Sequence, residues 1–149
     1  MVAIEVPAHY GWVVLGAGVA PVITSMMLSG KVMAARQAYN VQYPNLYAVP
    51  GFHKQADEFN RVQRGHQNYL ENTDSYVIMT LLGGLKHPIA CAVGTLCYCA
   101  GCYLYMLGYS DNSLDVKDAR YKKGAAIKWI GFFTSLISCG KLAFSLITA

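Results

Sequence analysis

Arg61, Arg64, Asn68 and Glu71 stand at i, i+3, i+7 and i+10 within FNRVQRGHQNYLEN, the stretch Phe59–Asn72. A helix puts all four on one stripe, with two guanidinium forks, an amide and a carboxylate along one side. Forks of this kind recognise carboxylates in bidentate fashion, and the carboxylate suits an ammonium group, so the stripe fits a small zwitterion. Further on, Tyr98, Tyr105 and Tyr109 carry hydroxyls into an apolar segment, the last two one helical turn apart. Tyrosines near the end of a span commonly form an interfacial belt. Cys99-Ala-Gly-Cys102 has redox spacing but lies inside an apolar run, where thiols are normally inert. His9, His53, His66 and His87 are scattered without ligand spacing, so no metal site is expected.

A polar stripe matters because of what surrounds it. Of 149 residues, 54% are hydrophobic and 13% charged, against about 25% charged in an ordinary soluble domain. Mean hydropathy is +0.29. The chain reads as an integral membrane protein forming one unit, residues 1–149, with no linker or repeat to divide it. The net charge of +4 is small, and the cations cluster at segment ends. That pattern fits membrane orientation and an anionic ligand rather than nucleic acid.

Four spans are expected, at about 8–33, 58–85, 89–109 and 124–147: Val6–Gly30 and Pro88–Ser110 are charge-free runs long enough to cross a bilayer as helix, the second span is uncharged only over Ser75–Leu85, and Lys128 and Lys141 interrupt the fourth. The run Val6–Gly30 lacks a basic leader and exceeds a signal-peptide core, so it reads as a retained span. Pro21 in its middle predicts a kink or loosening. Lys31 and Arg36 end this span, Arg36 as a possible snorkelling anchor. A loop over Tyr39–Gln55 follows, with Asp57 or Asn60 as N-cap of the second helix. The polar first half of that helix must face a bundle interior, because Arg, Asn and Glu facing lipid are costly. Pro88 opens the third span, Asp111–Lys123 forms a second polar loop, and Lys128 and Lys141 lie near the two ends of the fourth span, within snorkelling reach. Both cation-bearing loops are expected on the cytoplasmic side and both termini on the far side. The fold class expected is therefore all-α, an integral membrane four-helix bundle.

The residues also carry a resemblance. Ala35-Arg36-Gln37-Ala38-Tyr39 with Tyr43-Pro44, the segment Phe59–Glu71 with its RxxRxxQNxxE core, Gly83-Gly84 with His87-Pro88, and Tyr105 with Gly108-Tyr109 resemble the MAPEG superfamily (membrane-associated proteins in eicosanoid and glutathione metabolism). They are most similar to its microsomal glutathione S-transferase type 3 branch, which is related to leukotriene-C synthase. The resemblance implies a homotrimer holding glutathione, as co-substrate, between neighbouring protomers near the cytosolic face of the endoplasmic reticulum membrane. By position, Arg36, Arg64 and His66 would bind the tripeptide, Asn68 would hydrogen-bond it, Glu71 would take its ammonium, and Tyr105 and Tyr109 would line the pocket. A cation at the start of the last helix would stabilise the thiolate; Arg120 fits that role, with Lys123 next. Asn72 stands where the family has another pocket tyrosine. The implied reaction joins glutathione to a lipophilic electrophile or reduces a lipid hydroperoxide. The alternative is a non-catalytic lipid-presenting protein resembling the five-lipoxygenase-activating protein.

Overall fold

A computed structural model describes residues 6–148. The described residues form helices and connecting turns with no strand, as an all-α chain should. Helix α1 spans Tyr10–Tyr39. It widens into a π turn at Leu15–Val19, directly before Pro21. Proline has no amide hydrogen and its ring crowds the carbonyl four residues back, so a wider turn there relieves the clash without breaking the rod. The helix runs past Arg36 and ends at Asn40, whose φ of 53° closes it in the left-handed region.

Helix α2 is Ala56–Gly84 and helix α3 is Pro88–Tyr109, with Pro88 in the first turn as expected. The cap of α2 differs from expectation: Gln55 occupies the N-cap position, and Asp57 lies in the first turn, where its charge favours the helix dipole. Asn60 is bound elsewhere, accepting from the Ala48 amide at 2.7 Å and donating to the Ala48 carbonyl at 2.9 Å. It therefore pins the preceding loop instead of capping.

The second polar loop contains a short helix, α4, Val116–Lys122. Asp115 caps it by accepting from the Lys117 amide at 2.8 Å. Gly124, at φ +84°, then turns the chain into α5, Ile127–Ile147.

Helices α1, α3 and α5 are long and apolar enough to cross a membrane. Their outward residues include Val22, Ile23, Met26, Leu96, Ile130 and Ile137, all exposed, as lipid-facing positions should be. Helix α2 lacks that composition because of its polar first half. It is instead packed among the other three, burying Phe59, Tyr69 and Tyr76. Several interior polar groups pair with one another, as hydrocarbon favours, while the Tyr98 hydroxyl and Gln63 Oε1 are buried without a partner. Thr80 and Ser135 hydroxyls meet at 2.8 Å, Tyr76 donates to Thr95 at 3.1 Å, and the Tyr76 and Tyr98 rings stack at 3.7 Å.

Contact between α3 and α5 is set by glycine. A β-carbon at Gly101 would lie 2.6 Å from the Lys128 β-carbon, and one at Gly131 would overlap the Gly94 carbonyl. With hydrogen alone at these positions the two backbones touch. This seam brings Lys128 against α3 and determines what the interior contains.

Candidate functional site

Of the sequence stripe, Arg64, Asn68 and Glu71 remain free of structural duty on the main chain, whereas Arg61 does not. Arg61 Nε donates to the Tyr109 carbonyl at 2.6 Å, and its two terminal nitrogens donate to the Asp111 and Leu114 carbonyls at 2.8 and 3.1 Å. Those carbonyls belong to the last residue of α3, beyond which no helical turn follows to bond it, and to the turn after it, where the Asp111 carbonyl also accepts from the Leu114 amide at 3.1 Å. The fork expected for a ligand carboxylate is spent on the protein's own backbone. Its effect is to lock the α3–α4 connection against α2.

Arg64 and Glu71 meet at 2.6 Å, each with about two-fifths of its side chain exposed (41% and 42%). Two helical turns separate them, so the arginine reaches along the helix surface to the acid. Arg64 and Tyr109 line an open cleft of about 750 Å³, which also takes in Asp57, Glu58, Asn60 and Tyr47. Tyr109 stacks with Tyr105 at 5.7 Å, and Tyr105 meets Tyr121 edge-on at 6.3 Å. Tyr105 is buried, so it is not an interfacial-belt residue. The Arg120 guanidinium lies 5.9 Å from the Tyr109 ring, and that of Arg61 lies 5.8 Å from it. The tyrosine row is thus flanked by cations, as an environment for a developing anion should be.

Arg120 and Lys123 differ in commitment. Lys123 Nζ is 2.8 Å from Asp111. This contact, with hydrogen bonds from the Ser113 hydroxyl and amide, holds the Asp111 carboxyl below its ordinary range. Among the described residues Arg120 makes no ion pair, and its side chain is exposed on α4.

Arg36 and His66 stand elsewhere. At about 100° per residue, His66 lies roughly 200° around α2 from Arg64, on the opposite side of the helix. Phe59, two turns before His66, shares that opposite side. The Arg36 guanidinium lies 5.3 Å from the Phe59 ring and 4.4 Å from the Tyr43 ring. Arg36 is buried, not snorkelling, and its NH1 donates to the Val41 and Asn45 carbonyls at 3.3 and 2.8 Å. His66 Nε2 is buried without a partner. One protomer therefore carries two half-sets of polar groups, back to back across α2.

Asn68 leads to a residue that sequence reasoning placed wrongly. Lys128 does not snorkel. It is 6% exposed, donates to Asn68 Oδ1 at 3.1 Å, and sits over the Tyr105 and Trp129 rings at 4.5 and 5.1 Å. The signal was available: Lys128 and Gly131 are three apart on one face of α5, and glycines mark close-packed faces of membrane helices. Asn72, in the position where a tyrosine was expected, donates to the Asn68 carbonyl at 2.8 Å.

All five cysteines are free thiols, with Cys99 and Cys102 buried in α3. Among the described residues no three His, Cys, Asp or Glu side chains gather as a metal site would need. Compared with known families, residues 14–148 match the model of the MAPEG family, from the second turn of α1 to the residue after α5.

Proposed function

The chain belongs to the MAPEG family, whose members include glutathione transferases and lipid-presenting proteins, and on that premise we propose that it is a membrane-bound glutathione transferase or peroxidase, most like the microsomal type 3 branch. The observation that carries this reading is the arrangement of Arg64, Asn68 and Glu71 on one side of α2, beside Tyr105 and Tyr109. Arg64 and Glu71 neutralise each other at 2.6 Å in the ligand-free protein. Glutathione bears two carboxylates and one ammonium, so it can replace that single contact with two, a carboxylate on Arg64 and the ammonium on Glu71. Asn68 adds an amide hydrogen bond, and the tyrosines wall the pocket.

The two half-sets on opposite sides of α2 support a site shared between protomers of a homotrimer. Arg64, Asn68 and Glu71 of one protomer then face the His66 side of the next, where the Arg36 guanidinium, buried on the Val41 and Asn45 carbonyls, would have to exchange those bonds to reach the ligand. No single protomer can bring both to one tripeptide.

Chemistry requires the thiolate. A free thiol has a pKa of about 8.5, and each unit by which a neighbouring cation lowers it corresponds to roughly 1.4 kcal/mol of preferential anion stabilisation. Arg120 is the cation assigned to this, being uncommitted where Lys123 is bound to Asp111. In conjugation, the sulfur lone pair forms a carbon–sulfur bond as the leaving group departs or the epoxide opens. In peroxide reduction, sulfur takes the distal oxygen and the alkoxide leaves with a proton. A second glutathione then yields the disulfide and water. In this reading the second substrate partitions from membrane lipid in the endoplasmic reticulum, and the cation-bearing loops support a site toward the cytosol with both termini lumenal.

A second reading, lipid presentation without catalysis, draws on an apolar groove of about 460 Å³ between α1 and α3, lined by Trp12, Leu15, Ile23 and Leu96 among others. One experiment separates them. Detergent-purified protein is assayed with glutathione against an aryl halide, an epoxide and a lipid hydroperoxide, beside Arg120→Ala. Turnover with at least one substrate, and loss in the variant of ultraviolet thiolate absorbance and of most activity but not of glutathione binding, is expected. Glutathione binding without turnover by the native chain favours the lipid-presenting reading.

A further inference from the structure

Lys128 is a cation held inside the protein without an anion. Lysine is rarely buried unless paired, and among the described residues no carboxylate lies within ion-pair distance of it. Its single hydrogen bond is to Asn68 Oδ1 at 3.1 Å. The remaining neighbours are π faces, Tyr105 at 4.5 Å and Trp129 at 5.1 Å. Lys128, Asn68 and Trp129 also line a small, partly open chamber of about 10 Å³, at most a single water in size, together with Asn72, Tyr98, Cys102 and Phe132. An apolar side chain of the same length would fill this space without the cost of desolvating an ammonium group. Packing alone therefore does not account for lysine here.

What an ammonium group does, and methionine cannot, is choose between the two ends of the Asn68 amide. Lysine only donates, so the end of Asn68 turned to Nζ must be the oxygen, and the NH₂ group is turned away from α5. Asn72 meanwhile bonds the Asn68 main-chain carbonyl at 2.8 Å, steadying the same turn. A free asparagine would present either end to a ligand; this one presents a donor.

We propose that Lys128 is a positioning residue for glutathione: it fixes the Asn68 side chain so that Nδ2 is offered as a hydrogen-bond donor to an acceptor oxygen of the tripeptide. The assignment rests on the reading of Asn68 as a glutathione contact and adds a specificity device to it. An acceptor on the ligand is recognised and a donor at the same place is refused, because Lys128 prevents the amide from turning over.

The test uses the full chain in detergent, with glutathione titrated by calorimetry and by kinetics. Lys128→Met is expected to keep or raise the melting temperature, to weaken glutathione affinity and raise its KM about tenfold, the scale of one lost charge-supported hydrogen bond, and to leave the KM of the lipophilic substrate unchanged. In an Asn68→Ala background the same substitution has no further effect on glutathione. Asn68→Asp supplies an independent arm, since it pairs with Lys128 and offers no donor. It should be at least as thermally stable as the native chain yet bind glutathione about as weakly as Asn68→Ala. Native-strength glutathione binding by Lys128→Met or by Asn68→Asp, or a full additional loss in the Asn68→Ala background, overturns the proposal. Absence of glutathione binding by the native chain overturns the underlying reading instead.

Discussion

Removing Arg61 tests the division between ligand-binding and structural cations. Its guanidinium makes three hydrogen bonds, at 2.6, 2.8 and 3.1 Å, to carbonyls at the end of α3 and in the following turn. Hydrogen bonds to a charged group contribute roughly 1.5–3 kcal/mol each when buried. Arg61 is only half-buried, so water recovers part of each when the side chain is cut back, leaving about 3 kcal/mol in all for Arg61→Met by the same scale. For a chain of this length that is a fall in melting temperature of roughly 6–12 °C. Arg61→Lys should recover little, because one ammonium cannot span three carbonyls laid out for a fork. Thermal unfolding in detergent measures the shift, and limited proteolysis reports whether cleavage concentrates in residues 110–123. A melting temperature equal to that of the native chain, with weakened glutathione binding, would refute the structural assignment and return Arg61 to the ligand.

Other expectations follow from the same geometry. Glu71→Gln should weaken glutathione binding about tenfold, yet bind a glutathione analogue lacking the α-amino group as the native chain does; equal losses for both ligands would remove Glu71 from the ammonium site. Gly101→Ala inserts a β-carbon 2.6 Å from that of Lys128 and should cost about 1–3 kcal/mol as α3 and α5 separate, read as a lower melting temperature and a higher KM for glutathione together. Lys123, with Ser113, lowers the folded-state Asp111 pKa, so the stabilisation of the 110–123 segment is complete above the unfolded carboxylate pKa of about 3.9 and is lost as pH falls toward the folded value. Protease resistance of that segment should accordingly be flat from neutral pH to about pH 5 and decline below about pH 4, and Asp111→Asn should abolish the dependence.

The long elements were legible because their signals are local. Uncharged runs, Pro88 at a helix start, and a stripe at helical spacing depend only on neighbouring residues. The short helix α4 was missed within a polar segment, although Asp115 two residues before Lys117 is an ordinary capping signal. For the site, the sequence could say which residues share a side of α2 but not what else competes for them. Arg61 finds its carbonyls 48 to 53 residues away, and Asn60 is drawn off by Ala48. The inward turn of Lys128 depends on the glycine seam between α3 and α5, a packing fact that hydropathy does not contain. Arg36 was read from its position near the end of a charge-free run. Its burial follows from the loop folding back under it.

Placing the two half-sets of groups on opposite flanks of α2 has a genetic corollary. In the homotrimer proposed above, each subunit would supply the front of one pocket and the back of the next. A lesion on either flank silences every pocket of a uniform assembly. Co-expressing the two kinds of inactive allele reunites intact fronts with intact backs at about a quarter of the junctions, so crossing two dead alleles restores activity that neither possesses alone.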